Sequence, residues 1–179
     1  TKFKENFKEE INNFSKLTNK TSKGFRAPTF SLNENSSWII DALVESGYIY
    51  DSSVVPAKTE LYGLPNAQIK PYIISKNSLE KHDPNGTLIE FPLLVTKFLG
   101  KKIPAGGGFF LRTLPTKIIK NAINNYQKQQ IPATFYIHSW ELTPEYIPKI
   151  KLPRKENFVT FRNIEKAFDK MYKILSEFE

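Results

Sequence analysis

Residues 25–51 read FRAPTFSLNENSSWIIDALVESGYIYD, and this stretch decides the fold class. Pro28 disfavours helical backbone in the residue before it, which favours a strand that ends in a loop. The Asn- and Ser-rich residues 33–37 can cap a helix over residues 38–46, and Gly47 ends that helix. A second short strand follows the glycine. The order strand, helix, strand is typical of parallel pairing, so the sequence predicts an α/β fold.

Apolar residues at spacings of three and four, or in short runs between prolines and glycines, predict the remaining elements. In chain order we expect a helix over residues 2–17, strands over 88–92 and 95–99, a flexible glycine loop over 106–108, a helix from Pro115 to about Gln127, a strand over 134–138 and a final amphipathic helix over 158–178.

The composition bounds the class of protein. The chain has 179 residues, of which 40% are hydrophobic, so it is long enough for one domain with a core and too short to predict two. No run reaches the roughly 18 apolar residues of a membrane helix. We recognise no signal peptide, and the location stays open between the cytoplasm and the cell envelope.

The net charge of +8 is spread along the chain, which favours a solvated basic surface over a nucleic-acid site. Affinity for an anionic polysaccharide or a membrane surface stays open.

The chain contains no cysteine and only two histidines, His82 and His138. Disulfides, thiolate metal sites and sites with three histidine ligands are therefore excluded within this sequence. A metal held by this chain alone would need mostly carboxylate ligands.

Three predicted strands end in polar residues, namely Arg26, Asp51 and His138. In parallel α/β barrels the carboxyl ends of the strands meet at one rim, where catalytic side chains gather. Each residue also has a structural explanation when it is taken alone. The arginine can be structural, Asp51 can cap the turn before two serines, and His138 can be a hydrogen-bonded core histidine.

The order of the short motifs is more specific than any one of them, and it covers nearly the whole chain. The motifs, in chain order, are GFRAP at 24–28, YDSS at 50–53, YGLP at 62–65, EFPL at 90–93, PAGGG at 104–108 and FYIHSWEL at 135–142. With these motifs in this order, the sequence resembles the NodB-like polysaccharide deacetylases of carbohydrate esterase family four, and within them the exopolysaccharide-associated branch.

The resemblance implies a fold and a reaction. The fold would be the C-terminal portion of an incomplete (β/α)7 deacetylase barrel. The reaction would be hydrolysis of N-acetyl groups on an amino-sugar polymer, with a divalent, zinc-like metal as the cofactor of the intact family enzyme. The partner of the site would be an acetylated polysaccharide or oligosaccharide.

The resemblance also implies catalytic roles for two residues. Arg26 would hold the carboxylate of the catalytic base through a bidentate contact, a geometry that suits guanidinium. His138 would be the general acid that protonates the leaving amine, since histidine titrates close to neutrality.

Four further residues would contact the substrate. The backbone N–H of Thr29 would point toward the oxyanion of the tetrahedral intermediate. Asp51 would line the sugar groove, and Tyr136 and Trp140 would shape the acetyl pocket.

Two family motifs are missing from the sequence. One is an Asp-Asp pair that supplies the base and a metal ligand, and the other is a pair of histidines about four residues apart. We therefore expect residues 1–179 to be a partial deacetylase domain that begins just past the metal-binding part, holds no metal alone and is inactive alone. A separate N-terminal half or a homo-oligomer would then cover its exposed strands.

A second hypothesis treats the chain as a polysaccharide-binding or partner subunit without catalysis. A groove lined with aromatic side chains could bind a polysaccharide without cleaving it. The residues proposed for this groove are Tyr62, Tyr72, Trp140 and Tyr146.

Overall fold

The computed structural model describes residues 2–147 and 150–178, which form two compact units, Thr1–Pro92 and Leu93–Glu179. The first contains α1 (Lys2–Thr18), β1 (Gly24–Phe25), α2 (Trp38–Glu45), β2 (Tyr50–Asp51), β3 (Tyr72–Ile74) and β4 (Leu88–Glu90). The second contains β5 (Val95–Phe98), β6 (Lys101–Pro104), α3 (Gly108–Thr113), α4 (Thr116–Lys128), α5 (Ser139–Leu142), α6 (Arg154–Phe161) and α7 (Ala167–Leu175).

A four-stranded sheet organises the first unit, with the strands in the order β1-β2-β4-β3. β1, β2 and β4 are parallel, and β3 is antiparallel to β4. The predicted strand–helix–strand unit and its parallel pairing are confirmed. The register aligns Phe25 with Asp51, and Asp51 with Glu90, so the ends of three parallel strands lie side by side.

The core of the first unit lies between α2 and this sheet. α2 places Ile40 and Leu43 in the core, where they belong to one cluster with Ile74 of β3 and Leu88 of β4. The predicted end of the helix is also confirmed, because Gly47 has a φ of 79°, a left-handed conformation that glycine adopts without a steric penalty.

α1 confirms the predicted helix over residues 2–17. Phe7 makes edge-to-face contacts with Phe25 and Trp38, and its centroid lies 5.6 Å from that of Phe25. Lys4 of α1 donates to Glu45 of α2 at 2.9 Å. Three apolar side chains of α1 are exposed, namely Phe3, Phe14 and Leu17.

β5 and β6 form an antiparallel hairpin in the second unit. Leu99 and Gly100 form its turn, and both have positive φ angles. α4 follows Pro115 as predicted and buries Ile119. The predicted strand over 134–138 is wrong as a regular strand. The segment makes only two isolated parallel bridges, to Leu93 and Gly107, because its two partners lie in different segments.

The predicted flexible glycine loop is packed and buried. A Cβ atom on Gly106 would lie 2.5 Å from the carbonyl oxygen of Thr134. A Cβ atom on Gly108 would lie 2.2 Å from a carboxylate oxygen of Glu141. The glycines therefore allow a close approach between chain segments, and Gly108 begins α3.

The predicted final helix over 158–178 is broken into α6, a short 3-10 turn and α7. The break occurs at Asn163, whose φ of 53° lies in the left-handed region. In α7, Ala167 and Ile174 are buried, whereas Phe168 and Tyr172 are exposed.

The described strands form a four-stranded and a two-stranded sheet, and the (β/α)7 barrel stays a prediction. Within residues 2–147 and 150–178, no helix is both long enough and apolar enough to cross a bilayer.

Leu43→Ala tests whether the face of α2 sets the stability of the first unit. Leu43 is fully buried, so its truncation leaves a cavity, and we expect a loss of about 2–5 kcal/mol in the free energy of unfolding. Val44, the next residue of the same helix, is 39% exposed, and Val44→Ala should lose less than about 1 kcal/mol. Urea unfolding followed by circular dichroism measures both. Equal losses would contradict the assigned face.

Candidate functional site

Two carboxyl groups are buried side by side at the ends of β2 and β4. Asp51 and Glu90 are register partners, and neither has exposed surface. The Oδ1 atom of Asp51 accepts from the Ser53 hydroxyl at 2.7 Å, and the Oε1 atom of Glu90 accepts from the Val54 N–H at 3.0 Å. Their other oxygens have no donor among the described residues as long as both groups are ionised.

A proton on one of the two groups supplies the missing donor. Burial raises the pKa of Glu90 well above its usual value, and the charge of Asp51 raises it further. Burial also raises the pKa of Asp51. The pair is therefore best described as sharing one proton, with protonated Glu90 donating to Asp51. Tyr72 lies beside the pair, and burial first, then the charges of Glu90 and Asp51, raise the pKa of its phenol.

Arg26 lies at the end of β1 and contacts Ser52. Its Nε donates to the Ser52 carbonyl at 2.8 Å, and its Nη2 donates to the Ser52 hydroxyl at 2.7 Å. The Ser52 hydroxyl in turn donates to the carbonyl of Phe91 at 2.8 Å. Ser53 forms a second link between β1 and β2. Its hydroxyl accepts from the Ala27 N–H at 2.7 Å and donates to Asp51. The two serines thus tie the ends of β1, β2 and β4 together.

The loop after Arg26 has strained backbone. Thr29 and Phe30 have φ angles of 54° and 53°, a left-handed conformation that disfavours a β-branched residue such as threonine. Thr29 is exposed, and its hydroxyl donates to the carbonyl of Pro28 at 2.7 Å. Strain of this kind is frequent at functional loops, and the role of the Thr29 N–H in binding an oxyanion stays a prediction.

His138 lies in the second unit, immediately before α5, and its side chain is exposed. The imidazole is hydrogen-bonded to the hydroxyl of Tyr136 and stacked on Trp140, with 5.5 Å between ring centroids and 23° between ring planes. The alternative that His138 is a core histidine is therefore wrong. The structure brings His138, Tyr136 and Trp140 together, as the prediction of a common pocket requires.

Sequence reasoning missed a buried ion pair beneath this histidine. Glu141 accepts from the His138 backbone N–H at 3.0 Å and from the Nε of Arg112 at 2.8 Å. The side chains of Arg112 and Glu141 are each only 2% exposed. The Glu that follows the histidine by three residues was the available signal, because an acidic residue at this position can accept from the N–H that precedes a helix.

The structure distributes the predicted site residues over the two units. Arg26 and Asp51 are connected through the two serines of the first unit, and Asp51 is buried. Its predicted role in lining a sugar groove would require it to become accessible. Of the aromatic side chains proposed for a groove, Tyr72 is buried at 4% exposure and cannot line one, which corrects that assignment, whereas Tyr146 is 81% exposed.

The described residues do not offer a fitting metal site. No group of three or more His, Asp, Glu or Cys side chains in that part of the chain is arranged to hold a metal ion. The Asp51–Glu90 pair supplies only two carboxyl groups, and each is fully buried and already accepts a hydrogen bond with one oxygen. No catalytic step is therefore derived through a metal held by these residues.

The protein is a mixed α/β protein. Its first unit contains a sheet with a buried carboxyl pair, and its second unit has an exposed histidine between two aromatic rings. Residues 52–179 match the family DUF3473, which is described as a domain of unknown function. The match covers well over half of the chain, so the protein belongs to this family. No curated protein and no solved structure matches the chain.

Glu90→Gln tests the shared proton. The raised pKa of folded Glu90 means that the folded state binds a proton more tightly than the unfolded state, so stability is full below about pH 4.5, the ordinary pKa of the group, and falls as the pH rises through the folded pKa. The amide oxygen of glutamine can still accept from the Val54 N–H. Its NH2 group can donate to Asp51 and does not titrate. We expect a gain of about 1 kcal/mol at pH 8 and a flatter pH dependence.

Urea unfolding between pH 5 and pH 8 measures this dependence. Glu34→Gln removes an exposed carboxylate from the same unit and is the matched control. A Glu90→Gln protein that is less stable than the wild type at pH 8, with an unchanged slope, would contradict the shared proton.

Proposed function

We propose that the protein acts in the deacetylation of an amino-sugar polysaccharide, contributing the general acid and part of the substrate pocket of a deacetylase site. The observation that carries this proposal is the exposed imidazole of His138, hydrogen-bonded to Tyr136 and stacked on Trp140. The ordered motifs that resemble NodB-like deacetylases support it. The family match leaves the activity open, since the family is described without a function.

The geometry suits protonation of a leaving amine. An amine expelled from a tetrahedral intermediate needs a proton donor within hydrogen-bond reach, and an exposed imidazole is accessible to a bound polymer. The ring of Trp140 stacks on one face of the imidazole, and the Tyr136 hydroxyl is hydrogen-bonded to one of its ring nitrogens. The flat rings beside the imidazole offer apolar surface for an acetyl group or a sugar ring.

For Arg26, considered within the first unit alone, the proposed role is to orient a carboxylate. Its guanidinium is already held by two hydrogen bonds to Ser52, so its position is defined before substrate binds. We propose that the base and the metal ligands of the reaction are provided by residues outside this 179-residue chain, because Asp51 and Glu90 are fully buried and no group of three or more possible metal ligands occurs among the described residues. An N-terminal half of the deacetylase domain is the proposed source.

His138→Gln tests the role of the histidine in the chain extended by any residues that its gene encodes before Thr1. Release of acetate from acetylated chito-oligosaccharides, with zinc supplied, should fall about 10²- to 10⁴-fold, because the amine loses its proton donor. His82→Gln is the matched control. His82 accepts from the Ile73 N–H in the first unit, so its replacement should leave turnover within about threefold of the wild type.

The experiment distinguishes failure of the proposed reaction from failure of the role proposed for His138. No acetate release by the extended wild-type protein from any acetylated amino-sugar polymer would remove the proposed reaction. Equal turnover in the two variants would remove His138 as the acid while leaving the reaction intact.

A second candidate is polysaccharide binding without cleavage. The observation that favours it is the exposed ring of Tyr146, which follows α5 and is 81% exposed. A ring that projects into solvent can stack on a sugar without any catalytic group.

Tyr146→Ala should weaken the binding of an acetylated chito-oligosaccharide about fivefold to tenfold in isothermal titration calorimetry, because one stacking surface is lost. Tyr172→Ala removes another exposed tyrosine of the second unit and should leave the Kd unchanged. Equal effects of the two substitutions would argue against a specific sugar surface at Tyr146.

A further inference from the structure

The carboxylate of Glu141 holds the backbone at the proposed catalytic histidine. One oxygen, Oε2, accepts from the N–H of His138 at 3.0 Å. The other, Oε1, accepts from the Nε of Arg112 at 2.8 Å. Both carboxylate oxygens therefore have a donor, and Glu141 is buried. A hydrogen bond to an ionised acceptor is stronger than one between neutral groups, so the carboxylate restrains the residue before α5.

Arg112 is itself fixed by the tail of the chain. Its Nη1 donates to the carbonyl of Arg162 at 2.6 Å, and its Nη2 donates to the carbonyl of Val159 at 3.0 Å. The guanidinium thus uses three nitrogen atoms on three different acceptors, which satisfies a buried charge well. The backbone at Val159 and Arg162, at the end of α6, is connected through Arg112 and Glu141 to His138.

Gly108 leaves room for this carboxylate and for nothing more. A Cβ atom on Gly108 would lie 2.2 Å from Oε2 and 2.3 Å from Oε1 of Glu141. Such distances are far below van der Waals contact, so even a methyl group at this position would displace the carboxylate. The neighbouring Gly107 differs, because its Cβ atom would lie 3.6 Å from Leu93 and 3.9 Å from Tyr136.

We propose that Glu141 and Arg112, with the space provided by Gly108, are positioning residues for His138. The carboxylate fixes the backbone from which the imidazole projects, so the ring stays between the Tyr136 hydroxyl and Trp140. The positioning is a property of this chain, and only its consequence for catalysis rests on the function proposed above.

A merely structural role is the alternative to be separated. A buried ion pair can hold α5 near α3 without any effect on the imidazole, and its loss would then lower stability alone. The test therefore needs a readout at His138 itself. The sequence has only two histidines, so His82 of the first unit serves as an internal reference in the same spectra.

Gly108→Ala and Gly107→Ala form the matched pair for this test. In the 179-residue protein, Gly108→Ala should speed amide hydrogen exchange at His138 about tenfold, because the hydrogen bond to the displaced carboxylate is lost. It should also shift the imidazole resonances of His138, which lie under the ring current of Trp140. The imidazole of His82 and the exchange of the Val54 amide should not change. Gly107→Ala should match the wild type in all four measurements.

Glu141→Gln provides a second route that keeps the side-chain shape, and it serves if Gly108→Ala does not fold. One amide oxygen cannot replace two carboxylate oxygens, so either His138 or Arg112 loses its acceptor. We expect faster exchange at His138 and the same direction of imidazole shift as in Gly108→Ala.

Unchanged exchange and unchanged imidazole resonances at His138 in a folded Gly108→Ala or Glu141→Gln protein would overturn the positioning role, even if the melting temperature falls. Equal effects of Gly107→Ala and Gly108→Ala would overturn it as well. If the resonances of His138 respond as expected and the extended protein still releases no acetate, the positioning stands and the deacetylase proposal fails.

Discussion

The first unit depends on a constraint at its centre, the burial of two carboxyl groups on neighbouring parallel strands. Asp51 and Glu90 are register partners without exposed surface, so they cannot both carry a charge without a large penalty. One proton between them, with the Ser53 hydroxyl and the Val54 N–H as further donors, gives every carboxyl oxygen a hydrogen-bond partner. The turn after β2 is thereby fixed, and through the adjacent Ser52 so is the guanidinium of Arg26.

The second unit buries two groups of opposite charge instead of two carboxyl groups. Arg112 and Glu141 are ionised partners whose remaining donors and acceptors are backbone groups. Two neighbouring carboxyl groups avoid a double charge by sharing a proton, whereas an arginine and a carboxylate compensate each other's charge directly. The carboxylate of Glu141 therefore holds the backbone at His138 without a shared proton.

The sequence predicted what local spacing controls, and it failed where distant residues decide. α1, α2 and α4 follow from apolar periodicity and capping, and the parallel pair of β1 and β2 follows from the strand–helix–strand order. The tail helix failed because Asn163 adopts a left-handed backbone that no apolar pattern reports. The Arg112–Glu141 pair was not predicted because its members lie 29 residues apart. Tyr72 was assigned to a groove because an aromatic residue looks the same in a sequence whether it is buried or exposed.

In the proposed deacetylase reaction, the second unit would supply the proton donor. His138 is exposed and fixed, which suits the donation of a proton to a leaving group. Activation of water needs a carboxylate that a water molecule at the substrate can reach. Neither Asp51 nor Glu90 has exposed surface. The deacetylase proposal therefore requires a base from residues beyond the Asp51–Glu90 pair, whereas polysaccharide binding at the aromatic rings of the second unit requires none.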